Sequence, residues 1–169
     1  MKTVLLMRHA KSSWKHEDLK DIDRPLNKRG KRDAPKMGEK LAKKKKTPQL
    51  ILCSNAKRAR QTAKAVAKAS GYDGKIKRYS ELYLAEPQAY IDALRQTPDE
   101  LDSAMVIGHN PGLESLLQQL SGRVETLSTS AIAFVDLPID SWKEVSSDVD
   151  CSLLTVWYPD HSKKKKDKK

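Results

Sequence analysis

At 169 residues the chain is sized for one domain, which would bury roughly 70% of its unfolded surface. With a net charge of +11, 38% hydrophobic residues, 5% aromatics and two cysteines, it matches neither a disulfide-framed secreted module nor a base-stacking nucleic-acid module. No apolar run approaches the roughly 20 residues of a membrane span, and residues 3–7 are too few for the apolar region of a signal peptide.

Cys53 and Cys151 lie in apolar strand-like runs, so reduced, buried thiols and a cytoplasmic protein are expected. The charge is uneven. Residues 1–70 carry 21 Lys/Arg against 6 Asp/Glu (+15), residues 71–162 carry 6 against 15 (−9), and residues 163–169 add +5. The basic half suits an anionic substrate or an acidic partner. The Lys-rich tail 163–169 reads as solvated and disordered, which leaves residues 1–162 as the domain.

The first strand candidate, residues 2–7, ends abruptly in Arg8 and His9. A helical pattern follows at 27–46, with Ala34, Met37, Leu41 and Ala42 on one face and Lys/Arg on the other. Pro35 inside it predicts a kink, or a helix that begins there. A second strand, 49–53, runs into Ser54 and Asn55, either of which can cap a helix over 55–70 and place Arg58 in its first turn. Gly71 fits the position just past the end of that helix. Strand 75–79 and helix 87–96 come next. Strand 104–108 then ends in His109, and Asn110-Pro111 reads as the N-cap and first position of a helix over 111–120. Strands 131–136 and 152–158 complete the chain. The strands are continuous apolar runs more than alternating ones, which suits a sheet covered on both faces. The alternation of strand and helix predicts an α/β domain with a mostly parallel sheet.

In such a sheet, ligands bind at the carboxyl ends of the strands. Arg8 and His9, Arg58 and His109 all sit at such ends. A helix N-terminus with an arginine beside it is an anion site. Two arginines can hold a phosphate bidentately, one neutral histidine can attack phosphorus, and a second can donate to a phosphate oxygen. Taken singly, each of these residues also fits a structural role. No third histidine or carboxylate cluster supports a zinc site, and the chain has no Gly-x-x-x-x-Gly-Lys-Ser/Thr run for nucleotide phosphates.

Four ordered elements sharpen the picture: Arg8-His9-Ala10-Lys11-Ser12-Ser13-Trp14; Asp23-Arg24-Pro25-Leu26 with Gly30; Ser54-x-x-x-Arg58-Ala59-x-Gln61-Thr62; and Gly108-His109-Asn110-Pro111-Gly112-Leu113-Glu114. Together they resemble the histidine phosphatase superfamily, and within it the SixA-like phosphohistidine phosphatases, from residue 3 to about residue 135. The resemblance implies a single three-layer α/β/α domain of phosphoglycerate mutase type that needs no metal or organic cofactor. It implies His9 as a nucleophile that becomes phosphorylated, with Arg8, Arg58 and His109 completing the phosphate pocket. Arg24 reads either as a further anion contact or as a structural arginine before Pro25.

Two departures stand out. Ala10 replaces the superfamily's usual glycine, so an ordinary backbone conformation is expected there. Larger relatives carry an acidic Leu-x-Glu after the third strand, but Leu82-Tyr83-Leu84 has leucine in that place, leaving Glu81 as the candidate general acid, with Glu86 near it. A site without a sure acid favours P–N over alkyl P–O cleavage, because imidazole, with a pKa of about 6.5, departs without a strong proton donor. The SixA-like resemblance implies as substrate a phosphorylated protein, such as a phosphohistidine-bearing phosphotransfer domain. The alternatives are a small phosphate ester such as a sugar phosphate and, more distantly, a non-catalytic phosphate-binding module. Inorganic phosphate would be the product. Neither a membrane nor nucleic acid is expected as a partner.

Overall fold

The apolar segment Lys2–Arg8 forms β1, one of the two central strands of a six-stranded sheet in the computed structural model, which describes residues 1–161. The chain continues through α1 (Lys28–Lys43), β2 (Ile51–Ser54), α2 (Lys57–Ser70), β3 (Ile76–Tyr79), α3 (Pro87–Leu94), β4 (Ser103–Gly108), α4 (Gly112–Ser121), β5 (Ile132–Leu137) and β6 (Ser152–Trp157). The basic tail 163–169 lies outside the described residues. Among the described residues no helix is long and apolar enough to cross a membrane.

The strand order is β3-β2-β4-β1-β5-β6. β1, β2, β3 and β4 pair in parallel, while β5 pairs antiparallel with both β1 and β6. The sheet is therefore mixed, and the expectation of a mostly parallel one is corrected. The cause lies in the connection after α4. A parallel β5 would have to start at the amino end of β1. Instead Ser130 donates its N–H to the Arg8 carbonyl at the carboxyl end of β1 (3.1 Å). From there β5 runs back, with Ile132 opposite Met7 and Leu137 opposite Lys2.

The continuous apolar strands serve two faces because successive side chains alternate. Leu5, Met7, Ile51, Cys53, Met105 and Ile107 pack on one side with Met37 and Leu41 of α1 and Ala59, Ala63 and Val66 of α2. Val4, Leu6, Leu52, Val106 and Ala133 pack on the other with Leu94 of α3 and Leu113 and Leu117 of α4. The edge strands β3 and β6 are only half covered.

α1 neither begins nor ends at Pro35. Asn27 caps it, its side chain accepting from the Gly30 N–H (2.9 Å), and the apolar face Ala34, Met37 and Leu41 runs on past the proline. Burial of that stripe outweighs the one backbone bond that proline removes. Two other expected caps shift. Ala56, not Ser54 or Asn55, precedes α2, while the Ser54 hydroxyl accepts from the Ala56 N–H (3.1 Å). Pro111, preceded by a cis peptide bond, occupies the N-cap of α4, and the Asn110 side chain accepts from the Glu114 N–H (3.3 Å). Gly71 ends α2 in the left-handed region as expected. Ala10 is buried and has no positive φ.

Candidate active site

The carboxyl ends of β1, β2 and β4 converge on a pocket of about 290 Å³ lined by Arg8, His9, Arg58 and His109, with Lys11, Trp14, Asp21, Arg24, Leu84 and Asn110 among its other walls. The four residues placed at strand ends by the sequence are thus brought together. His9 is buried, and its ring lies 5.2 Å from that of His109, centroid to centroid.

The tautomer of His9 follows from its partner. Nδ1 lies 2.8 Å from the Ala10 carbonyl. A carbonyl only accepts, so Nδ1 carries the proton and Nε2 keeps its lone pair. Burial pushes His9 down to about 3, assisted by the nearby cations and opposed by the bond to Ala10. At neutral pH the ring is uncharged. His109 is likewise held at about 4, chiefly by burial and then by Arg58. Its Nε2 sits 2.8 Å from the Ser54 hydroxyl, and Tyr90 of α3 fixes its backbone, the phenol accepting from the His109 N–H (3.0 Å).

Three buried polar atoms in the pocket residues have no hydrogen-bond partner: Nε of Arg8, Nε of Arg58 and Nδ1 of His109. A buried unpaired donor costs about 1–3 kcal/mol. All three belong to side chains that line the one pocket. Their other atoms are anchored. Arg8 donates Nη1–H to the Leu127 carbonyl (3.2 Å), a group Asn110 also binds, and Glu114 accepts from both Asn110 and the Leu127 N–H. Arg58 donates to the Asp21 carbonyl (2.7 Å) and to the Asp21 carboxylate (3.0 Å).

Asp21 is a hub that the sequence reading missed. Its carboxylate also accepts from Arg24 (3.1 Å) and from the Tyr83 hydroxyl. Burial alone would raise it, but the bonds from Tyr83, Arg58 and Arg24 win and hold it at about 2. Asp21 stands three residues before Arg24, the spacing of a local ion pair, and that was the available signal. Tyr83 and Tyr90 carried none, since their roles depend on tertiary placement.

Arg24 lines the pocket, buried between Asp21 and the Ser13 carbonyl (3.2 Å). Glu81 is not brought into the pocket. Its carboxylate is exposed, accepts from the Ser80 hydroxyl, and faces a separate groove with Glu86 and Asp92. Leu84 does line the pocket. Among the described residues, no cluster of three or more His, Cys, Asp or Glu side chains is arranged for a metal ion.

Comparison with known proteins bears on the family and the fold. Residues 4–127 match the histidine phosphatase superfamily (branch 1). An uncharacterized chloroplastic protein of Arabidopsis thaliana is 36% identical over 151 residues, covering 83% of this chain and 69% of the relative. An uncharacterized protein of Mycobacterium tuberculosis is 35% identical over 119 residues, covering 69% of this chain and 72% of the relative. Among solved structures, a protein of Agrobacterium tumefaciens assigned by name to the SixA phosphohistidine phosphatases superposes with a TM-score of 0.80 at 29% identity, over 94% of this chain and 98% of that one. The protein histidine phosphatase SixA in complex with tungstate gives 0.78 at 26%, over 93% and 97%.

Proposed function

Since the chain belongs to the histidine phosphatase superfamily, we propose that it removes the phosphoryl group from phosphohistidine on a protein such as a phosphotransfer domain, through a covalent intermediate on His9. The observation that carries this reading is the neutral His9, with its Nδ1 proton committed to Ala10, beside Arg8, Arg58 and His109 in one pocket.

In the first step the His9 Nε2 lone pair forms a bond to phosphorus as the P–N bond to the substrate imidazole breaks. The other ring nitrogen of the substrate takes a proton from solvent, so the ring departs as neutral imidazole. The His9 ring becomes cationic, and its Nδ1–H bond to the Ala10 carbonyl strengthens with that charge. Arg8, Arg58 and His109 hold the three equatorial oxygens. In the second step water attacks phosphorus, the P–Nε2 bond breaks, the water proton passes to solvent or phosphate, and inorganic phosphate leaves. Arg24 acts at one remove, fixing Asp21 and through it Arg58. With leucine at position 84, Glu81 outside the pocket and the Asp21 carboxyl of its lining held ionised at about 2, no carboxylic acid among the described residues stands ready to protonate an alkoxide. A phosphoimidazole does not need one, since imidazole has a pKa of about 6.5. The buried free thiols Cys53 and Cys151 suit a reducing compartment such as the cytoplasm.

The test is single-turnover reaction with phosphoramidate or a phosphorylated phosphotransfer domain. Wild type is expected to carry acid-labile, alkali-stable phosphate, and His9→Ala none, with turnover reduced at least a thousandfold. Equal turnover by His9→Ala would remove His9 as nucleophile. Alkyl phosphates hydrolysed as fast as phosphoramidate would move the small-ester reading to first place.

A further inference from the structure

Trp14 is an unusual rim residue. It is 72% exposed, yet it lines the same pocket as His9. One face of its ring is already used: the Arg24 guanidinium lies 3.5 Å from the ring centroid. Arg24 is itself 8% exposed and is held by Asp21 and the Ser13 carbonyl. The indole is therefore backed by a fixed plane, so little rotamer freedom remains to be lost when something lies against it. Leu84, 57% exposed and held at a φ of +48°, adds a second apolar group to the lining. A leucine in the left-handed region is strained, and the strain is sustained where the side chain meets the pocket.

The direction of the reaction says what these groups face. Phosphoryl transfer proceeds with nucleophile and leaving atom in line across phosphorus. His9 is deeply buried, so the leaving group must point the opposite way, out toward the mouth. We propose that the exposed face of Trp14, with Leu84, forms a stacking subsite for a planar aromatic leaving group, the imidazole of phosphohistidine foremost. The inference rests on the phosphatase reading of the pocket and adds to it the class of leaving group. A ring stacked on the indole gains offset-stacking and apolar contact, which a sugar or glycerol leaving group forgoes.

Binding without turnover tests this directly. Phenylphosphonate and methylphosphonate share the anionic head and differ in the ring, so titration calorimetry of both reads the subsite alone. Wild type is expected to prefer phenylphosphonate about tenfold, Trp14→Ala to lose most of that ratio, and Trp14→Phe to keep most of it. If Trp14 served only to brace Arg24, its loss would weaken both ligands alike and leave the ratio intact, and that outcome overturns the proposal. So does a wild type that prefers neither ligand or binds neither. A second arm separates imidazole from aryl sources and from the parent reading. Trp14→Ala should lower kcat/KM for phosphoimidazole and for phenyl phosphate about tenfold more than for phosphoramidate, whose leaving group has no ring. Loss on phenyl phosphate alone would assign the subsite to aryl esters and overturn the imidazole assignment. Failure of wild type to turn over either P–N compound would reject the phosphohistidine reading while the phosphonate ratio still judged the subsite.

Discussion

At the scale of single residues, the two site histidines are kept neutral by burial, at about 3 for His9 and about 4 for His109, against about 6.5 in an unfolded chain. A folded pKa below the unfolded one means that the unfolded state binds more protons between the two values. Stability is therefore lost as pH falls from about 6.5 toward 3–4. Between pH 8 and pH 5 each histidine costs about 2 kcal/mol by that linkage. Asp21, near 2 when folded, adds nothing in this window, since its contribution fades only below about pH 4. Urea unfolding at the two pH values is expected to show a large loss for wild type and roughly half that loss for His109→Gln. An equal loss in both would mean that His109 is already charged in the fold. Arg8, His9, Arg58 and His109 were legible in the sequence because each stands at the end of an apolar run or in the first turn after one. Asp21 and Tyr90 were not, because they act on Arg58 and on the His109 backbone from 37 and 19 residues away. No local pattern encodes such pairs.

At the scale of elements, the loop after β1 is set by its contact with the start of α1. The Lys11 carbonyl accepts from the Asn27 N–H (3.0 Å), and a Cβ on Gly30 would lie 2.1 Å from that same oxygen. Ala10 meanwhile donates its N–H to the Thr62 hydroxyl (2.9 Å). The Ala10 carbonyl that orients His9 thus lies between two peptides held by α2 and by the start of α1. Gly30→Ala sets two effects against each other. Alanine favours a helix by about 1 kcal/mol, but the clash is with backbone that cannot swing aside, and overpacking of this kind costs about 1–3 kcal/mol. The clash should win. Net destabilisation of up to about 2 kcal/mol, with a fall in kcat as Ala10 shifts, is expected from urea unfolding and steady-state kinetics. A more stable, fully active variant would show that the loop yields freely. Among the described residues the four α-helices and six strands were legible within a few residues of their ends, since apolar runs and helical stripes are local signals, and the three short 3-10 helices were not. The direction of β5 was not. An apolar run reads alike in both directions, and only the path of residues 122–131 to the carboxyl end of β1 decides it.

At the scale of the molecule, the uneven charge of the sequence becomes a difference between two faces. α1 and α2 together carry twelve Lys/Arg against two Asp/Glu, while α3 and α4 carry no Lys/Arg and two acidic residues. The sheet keeps the two layers apart, so the cationic layer is not neutralised by the other. The pocket draws Arg8, Lys11, Arg24 and Arg58 from the same basic half of the chain. Fields of this kind raise encounter rates with anions and are screened within about 8–10 Å at physiological ionic strength. Phosphate bound against buried arginines is screened far less. Salt should therefore act on capture and not on chemistry. Raising ionic strength from about 0.02 to 0.5 M is expected to lower kcat/KM for an acidic phosphoprotein about tenfold or more. The single-turnover rate at saturating substrate should stay within about twofold, because it no longer depends on encounter. A salt effect of equal size on both would place the sensitivity in the arginine–phosphate contacts themselves, and the charged helical layer would then have no part in substrate capture.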